Sequence, residues 1–182
     1  MKILVNRTAQ EAELPVLIRD VKKYLRVGHN EENELIAKII GTATQELEQF
    51  AQVALLRQTV SVIYLSPSPD PVLRLPIGPS FGDQPPSVEL DGVAFTSFDF
   101  IGGLRPHIRW HAPYHDLAPS MVKIEYEAGF GASKADIPAD LAQALMDQAA
   151  LHYDGRSPMD TRSLTMSPHL ARIGARYRGV SL

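Results

Sequence analysis

The sequence predicts an α+β protein in which a small helical bundle carries an inserted antiparallel β-module and an extended C-terminal arm. Near both ends of the chain, apolar residues recur at spacings of three and four, which predicts amphipathic helices. In the middle, β-branched and aromatic residues alternate with polar ones, which is typical of half-buried strands. The chain has 182 residues, 45% of them hydrophobic and 21% charged, so it can bury a core of ordinary size.

Two N-terminal helices are predicted over residues 14–26 and 31–51, each with one apolar face. The start of the first helix is open. Thr8 with Glu11 fits a capping box, whereas Pro15 fits a first turn better than a helix interior. A start near Leu14 would place Pro15 in the first turn.

A third helix is predicted over residues 138–154. Pro138 and Asp140 suit its first turn, because proline presets φ and an acidic side chain complements the positive end of the helix dipole. Polar residues form a narrow stripe along this helix, and Leu151 interrupts the stripe.

The second helix, over residues 31–51, has a predicted N-cap at Asn30.

The β-module spans about residues 57–128. Strict alternation predicts strands at 57–65 and 121–127. Asp91 and Gly92 lie between two short apolar runs, and a two-residue type I′ turn requires positive φ at both central positions. These two residues therefore predict a β-hairpin.

Proline shapes the rest of the β-module. Seven of the 14 prolines of the chain lie within residues 66–86, which excludes a helix or a central strand there. Residues 72–75 fit a short edge strand. Residues 104–111 alternate again, and we expect them to pair antiparallel with residues 121–127.

The C-terminal segment, residues 155–182, is basic. Its charged residues are Arg156, Arg162, Arg172, Arg176 and Arg178 against Asp160, so it carries +4 within a chain of net charge −3. Leu170 and Ile173 fit one or two helical turns after Pro168. Alone, the segment would bury too little apolar surface to offset its ordering entropy, so we expect an arm that orders on a partner.

The second helix is acidic on its polar side, where Glu46 and Glu48 lie. Two interpretations stay open. Such charges usually form a solvated face. Alternatively, this face contacts a basic element, such as the arginine-rich arm of a neighbouring subunit.

Motifs for catalysis or metal binding are missing from the sequence. It contains no cysteine, no nucleophile elbow and no phosphate-binding glycine motif. His107 and His111 would be about 13 Å apart on a strand, too far for one metal ion, and Pro106 and Pro113 interrupt the alternative helix. We expect surface or interface histidines, no cofactor and no enzymatic activity.

No apolar run reaches the length of a membrane span, and no signal peptide is visible, so we expect synthesis in the cytoplasm.

Several motifs occur in an order typical of one family. A tyrosine-containing strand, a glycine-rich turn and a proline-started helix read here as IEYEAGFG and DIPADLAQAL. Near the N-terminus, YLRV at 24–27 and NEE at 30–32 mark two helices, and LPIGP with SVELDG marks the middle. In this order the chain resembles the head-tail connector, or adaptor, proteins of long-tailed phages and of phage-derived particles such as gene transfer agents.

This resemblance implies a structural subunit of a ring, expected to be dodecameric, at the head-tail junction of a particle made in a bacterial cytoplasm. The implied partners are copies of the chain itself, the portal protein and a tail-side stopper or tail-completion protein; the DNA in the channel is a further candidate, and no membrane is involved. The candidate interface residues are Glu46, Glu48, Asp147, Leu151, Arg162, His169, Leu170, Arg172, Arg176, Tyr177 and Arg178.

The alternative function is a small DNA-binding or DNA-processing protein that uses the basic tail. Arginine suits phosphate and carboxylate equally well, because its planar guanidinium makes paired hydrogen bonds to either. The sequence therefore leaves three roles for the arm: docking on an acidic protein neighbour, contact with DNA, and no ordered contact.

Overall fold

The computed structural model describes residues 1–9, 13–81, 84–155 and 166–179. The chain divides into a β unit, which comprises Met1–Glu11 and Arg57–Phe130, and a helical unit, which comprises Ala12–Leu56 and Gly131–Leu182. All the strands of the described residues lie in the β unit, and all their α-helices except the one at Ala112–Leu117 lie in the helical unit, so the predicted α+β class is confirmed.

In chain order, the described residues form β1 (Lys2–Ala9), α1 (Ile18–Leu25), α2 (Asn33–Ala51), β2 (Gln58–Leu65), β3 (Val72–Arg74), β4 (Ser87–Leu90), β5 (Val93–Ala94), β6 (Phe98–Ile101), β7 (His107–Trp110), α3 (Ala112–Leu117), β8 (Met121–Ala128), α4 (Ala139–Asp154) and α5 (Pro168–Tyr177). The three predicted helices correspond to α1, α2 and α4, with α1 starting at Ile18. Thr8 lies in β1, so the proposed capping box does not start α1.

The β unit contains two antiparallel sheets. A five-stranded sheet has the order β1-β2-β8-β4-β5, and a three-stranded sheet has the order β3-β7-β6. In the larger sheet, Val62 on β2 pairs with Ile124 on β8, and both side chains are buried. The alternation of the sequence therefore matches the buried face of this sheet, as predicted for both strands.

The pairing predicted for residues 104–111 is wrong. Their strand, β7, lies between β3 and β6 in the smaller sheet and does not pair with β8. The physical reason is that both edges of β8 are already occupied, by β2 on one side and by β4 on the other. The edge strand predicted at 72–75 is confirmed as β3.

The predicted hairpin is confirmed. Asp91 and Gly92 connect β4 to β5 with φ angles of 48° and 84°, both in the left-handed region that a type I′ turn requires. The Asp91 carboxylate also accepts hydrogen bonds from the Ser120 hydroxyl at 2.6 Å and from the Met121 N–H at 2.8 Å. This aspartate thereby fastens the turn to the start of β8.

Two buried tyrosines tie the proline-rich segment to the larger sheet. The Tyr126 hydroxyl donates to the Ile77 carbonyl at 2.9 Å and accepts from the Ile77 N–H at 3.2 Å. The Tyr64 hydroxyl donates to the Arg74 carbonyl at 2.7 Å. Burial raises the pKa of both hydroxyls well above their ordinary value, so they stay protonated and act as donors.

The helical unit buries the apolar faces of α1, α2 and α4 against one another. Asn30 does not cap α2: the N-cap is Glu32, and the Asn30 side chain accepts a hydrogen bond from Lys22 Nζ at 2.6 Å. Lys22 also donates to Asn33 at 3.0 Å. This nearly buried lysine satisfies its donors in the turn between α1 and α2, which takes Asn30 away from the capping role.

The expectation of an extended C-terminal arm differs from the structure over residues 168–177. These residues form α5, which packs on α2 and α4 of the same chain. Leu170 is fully buried and Ile173 is 3% exposed, so the helix gains apolar burial that it would lack in isolation. Residues 156–165 and 180–182 of the proposed arm lie outside the described residues.

Candidate functional site

Helix α4 presents a polar row, defined as Asp140, Gln143 and Asp147, beside its buried apolar face. The sequence predicts a solvated stripe or a subunit contact for this row. In the structure, the row binds side chains of α1 and α5. Asp140 and Asp147 therefore already have partners within the helical unit.

Asp147 joins three helices. Its carboxylate accepts hydrogen bonds from the Tyr24 hydroxyl of α1 and from Gln143 Nε2, the latter at 3.0 Å, and it pairs with His169 Nδ1 of α5. Burial by itself would raise the pKa of Asp147, but the hydrogen bonds from Tyr24, His169 and Gln143 together outweigh it and hold the pKa below its ordinary value. The ionised carboxylate is consequently the stable form at this junction.

Gln148 forms a second junction, and its side chain is 2% exposed. Its Nε2 donates to Glu46 of α2 at 2.7 Å, and its Oε1 accepts the Ser167 N–H at 2.8 Å. His152 Nε2 lies 2.8 Å from the same Glu46 carboxylate. Ser167 in turn caps α5, because its hydroxyl accepts the Leu170 N–H at 3.1 Å.

The C-terminal end of α5 is held at the start of α4. The Tyr177 hydroxyl donates to Asp140 at 2.9 Å, and Arg176 lies 3.7 Å from the same carboxylate. Burial, followed by the hydrogen bond to Asp140, raises the pKa of Tyr177 to about 12. Farther along, the Arg178 guanidinium lies 5.7 Å from the centroid of the Phe50 ring, within cation-π range.

Most of the predicted interface residues therefore have partners in their own chain. Glu46, Asp147, His169 and Tyr177 make the contacts described above, Leu170 is buried, and Glu48 accepts the Leu55 N–H at 2.7 Å. Arg162 lies outside the described residues. Leu151 is partly exposed, and Arg172, Arg176 and Arg178 are exposed. A role of any of these residues at an interface between subunits stays a prediction.

Sequence reasoning missed Tyr24, Gln148 and the close contact of Gly174 with Phe50. Each acts through a residue far away in the chain, and no local pattern marks such a pair. Ser167 is different, since a serine directly before a proline is a recognisable helix start. That signal was visible in the sequence.

The histidines of the β unit form no metal centre among the described residues. His111 lies 3.2 Å from Asp99, which also accepts two hydrogen bonds from Arg109, at 2.7 and 3.1 Å. No group of three or more His, Cys, Asp or Glu residues in the described part of the chain is placed to hold a metal ion. None of the helices that the structure describes has the length and hydropathy needed to cross a membrane.

The fold and the geometry define an α+β protein whose polar clusters connect helices to one another. No protein-family model matches the chain, and no curated protein matches it. Among solved structures, it is similar to a chain from the neck of an empty gene transfer agent particle computed with C6 symmetry, with a TM-score of 0.76, 22% identity, and coverage of 98% of this chain and 97% of that chain.

Two further structures give the same result. A chain from the virion of the native gene transfer agent particle matches with a TM-score of 0.76 and 21% identity. A chain from the neck of the native particle, computed with C12 symmetry, matches with a TM-score of 0.73 and 21% identity. Both alignments cover 98% of this chain and 97% of the other chain. At this level of identity, the likeness establishes a shared fold over both units.

Proposed function

We propose that this protein is a structural subunit of the neck of a tailed phage or of a phage-like particle such as a gene transfer agent. The observation that carries the proposal is the likeness to neck chains over the whole length of the chain, 98% of it, rather than over one unit. The order of motifs in the sequence supports the same role. Neither argument depends on the other, because one uses local residues and the other uses the backbone.

In its finer form, the proposal is an adaptor: a ring of identical subunits between the portal and the tail, through which DNA passes. The matched neck structures were computed with sixfold and twelvefold symmetry, which supports assembly in several copies. Closed rings require heterologous contacts, in which two different surfaces of the subunit meet. Portal protein and a tail-side stopper or tail-completion protein are the proposed neighbours above and below the ring.

The exposed side of α5 is the proposed surface for one of these neighbours. Arg172 and Arg176 lie four residues apart, so they share one face of the helix, and both are exposed. Leu170 and Ile173 of the same helix are buried in the bundle. A rigid helix that presents two arginines suits an acidic protein surface or a phosphate backbone.

The test is localisation in a particle. Deleting the gene in the producing strain should give DNA-filled heads that lack tails, and supplying the gene in trans should restore complete particles. Gold-labelled tagged protein should lie at the junction of head and tail in electron micrographs. Normal attachment of tails to heads without the protein would overturn the proposal.

A further inference from the structure

The β unit presents one phenylalanine to solvent. All six phenylalanines of the chain lie in the described residues, and among them Phe81 alone is exposed, at 60%. A phenylalanine in this position forgoes the burial that aromatic side chains usually contribute to a fold. Ile101 and Leu104, 38% and 53% exposed, lie close by, because Ser80 pairs with Gly103. These three exposed side chains, Phe81, Ile101 and Leu104, form an apolar knob.

Backbone contacts fix the base of the knob. The Ser80 N–H donates to the Gly103 carbonyl at 2.9 Å, and the Gly103 N–H donates to the Ser80 carbonyl at 2.6 Å. Gly78 lies so close to the Leu104 carbonyl oxygen that a Cβ on it would overlap that atom. Phe81 is therefore held on an anchored segment, which lowers the entropy cost of using its side chain in a contact.

The same unit contains a pocket of about 150 Å³ beside α3, partly open to solvent. One wall is Tyr114, whose ring stacks on Trp110 at a centroid distance of 4.3 Å and an interplanar angle of 7°. Both aromatic residues are buried, so this wall is already formed in the single chain. Three prolines contribute to the lining: Pro67, Pro69 and Pro119.

The volume and the lining of the pocket suit an aromatic ring. An apolar cavity of about 150 Å³ is large enough to hold benzene, so a phenylalanine ring has a suitable size. Proline and aromatic side chains pack against one another in many complexes between proteins and peptides. The ring of Tyr114 would add the attraction of an aromatic pair. A phenylalanine is therefore the occupant that the pocket fits.

The knob and the pocket lie at opposite ends of the smaller sheet. β7 runs from His107, which follows the knob in the chain, to Trp110, which precedes α3. The Trp110 N–H donates to the Pro71 carbonyl at 2.9 Å, which places the prolines before β3 at the same end as α3. Since β7 alone spans about 10 Å, Phe81 lies away from the pocket of its own chain. A second copy has to supply the ring.

We propose that Phe81 of one copy inserts into the pocket beside Tyr114 of a second copy, so that subunits join end to end through their smaller sheets. Such a contact joins two different surfaces, and its repetition closes into a ring or grows into a filament. The inference deepens the proposed function, on which it rests for the presence of several copies in one assembly. It names the surfaces through which those copies meet.

The area of the contact determines how strongly one pair of copies associates. An aromatic side chain buries about 150–250 Å². Leu104 of the knob and Leu117, which is 58% exposed next to Ala118 of the pocket, would add to this area. The sum stays below the roughly 800 Å² per partner of a stable complex. Two free copies therefore associate weakly, whereas each subunit of a closed ring makes the contact twice.

Cross-linking detects a weak contact of this kind, and the native chain contains no cysteine that would compete. Leu104→Cys marks the knob, and Leu117→Cys marks the rim of the pocket. Phe81→Ser removes the ring from the knob, and Ser68→Trp fills the pocket that Ser68 lines. These substitutions are combined in two mixtures of chains with tags of different size, which differ only in the chain that carries each cysteine.

In the first mixture, Leu104→Cys is on the Ser68→Trp chain, which keeps its knob, and Leu117→Cys is on the Phe81→Ser chain, which keeps its pocket. A short bifunctional maleimide should give a covalent heterodimer, and mass spectrometry should identify the peptides around positions 104 and 117. In the second mixture the cysteines are exchanged, so they mark the altered knob and the filled pocket. The yield should then fall by about tenfold or more, and equal yields would overturn the inference.

Sedimentation measures the association without a cross-linker. Phe81→Ser should weaken self-association by about tenfold or more, whereas Phe81→Tyr keeps an aromatic ring and should weaken it less. Circular dichroism spectra and melting temperatures verify that both variants keep the native fold, as expected for an exposed position. Native association by Phe81→Ser would contradict the inference.

The outcomes separate the inference from the proposed function. Rings that assemble normally from Phe81→Ser overturn the inference and leave the neck role standing. A Phe81→Ser gene that restores tailed particles as fully as the native gene does the same. Tail attachment after deletion of the gene overturns the neck role instead, and a link between positions 104 and 117 in the first mixture would still support the contact between copies.

Discussion

Gly174 of α5 lies directly against the ring of Phe50 on α2. A Cβ built on Gly174 would be 2.5 Å from Cδ1 and 2.9 Å from Cε1 of that ring, closer than side chains approach one another. The absence of a side chain at position 174 therefore sets how closely α5 packs on the bundle. Glycine is present here for contact and not for a special backbone conformation.

We predict that Gly174→Ala destabilises the protein. Overpacking against Phe50 outweighs the gain in helix propensity, and the net loss should be roughly 1–2 kcal/mol in urea unfolding. Gly41 of α2 is the matched control, because a Cβ there meets nothing within 4 Å. Gly41→Ala should stabilise by about 0.5–1 kcal/mol. Equal effects of the two substitutions would contradict the close packing of α5.

Gln148→Leu should lower the free energy of unfolding by about 1–3 kcal/mol, because it removes the acceptor of the buried Ser167 N–H and a donor to Glu46. The volume of the side chain changes little. Gln143→Leu is the control on the same helix, since Gln143 is less buried and donates to Asp147 alone among the contacts described above. Thermal unfolding measures the loss of stability of each variant relative to the native protein. A smaller loss for Gln148→Leu than for Gln143→Leu would contradict the prediction.

The depressed pKa of Asp147 predicts an acid dependence. A carboxyl group whose pKa is lower in the folded chain stabilises the fold above its unfolded-state pKa of about 3.9, and this stability is lost as the pH falls through the folded value. Asp147→Asn removes this titration. The free energy of unfolding of the native protein should therefore exceed that of Asp147→Asn at neutral pH. The difference between these two free energies should shrink below about pH 4. Urea unfolding of both proteins at a series of pH values measures this difference. If the difference does not change with pH, the pKa of Asp147 is the same in the folded and unfolded chain, which would contradict the prediction.

In the β unit, Tyr126→Phe should lower the free energy of unfolding by about 1–3 kcal/mol, because the hydroxyl makes two hydrogen bonds to Ile77 in a buried site. Tyr64→Phe removes one hydrogen bond, to Arg74, and should cost about 0.5–1.5 kcal/mol. Denaturant unfolding of both variants measures the two losses in free energy of unfolding. A larger loss for Tyr64→Phe than for Tyr126→Phe would contradict the prediction that the hydrogen bonds to Ile77 stabilise the fold more than the one to Arg74.

The exposed arginines of α5 allow a test of partner binding that leaves the fold intact. Arg172→Gln with Arg176→Gln removes both charges without placing a second carboxylate beside Asp140, which lies 3.7 Å from Arg176. The double variant should lower the free energy of unfolding by no more than about 1 kcal/mol and should weaken attachment to the partner in the neck. Arg19→Gln on α1, where the side chain is 75% exposed, is the matched control and should attach normally. Co-sedimentation with heads or with portal protein measures attachment.

Loss of a salt-dependent shift of duplex DNA in the double variant would instead favour the DNA-binding alternative. Deletion of residues 158–182 is a poor substitute for this experiment. It removes Leu170 and Ile173 from the core of the helical unit, so the truncated chain should unfold at lower temperature. A truncated chain with the native melting temperature would contradict the docking of α5.

The pattern of residues close in sequence was enough to predict a large part of the fold. The apolar spacing of α2 and α4, the alternation of β2 and β8, and the Asp91-Gly92 turn each depend on residues within a few positions of one another, so the sequence predicts them directly. β1 escaped prediction because both of its faces are exposed, which leaves no alternation between polar and apolar residues to detect.

By itself, the sequence determined the fold class, the core helices and strands, the hairpin and the basic character of the C-terminal segment. Only the tertiary structure decided where that segment goes: His169, Leu170 and Gly174 find Asp147, the apolar core and Phe50 within their own chain. Tertiary structure also decided that β7 joins a second sheet. Both outcomes depend on contacts between residues distant in sequence, whose free energy is gained only when the surrounding elements are already in place.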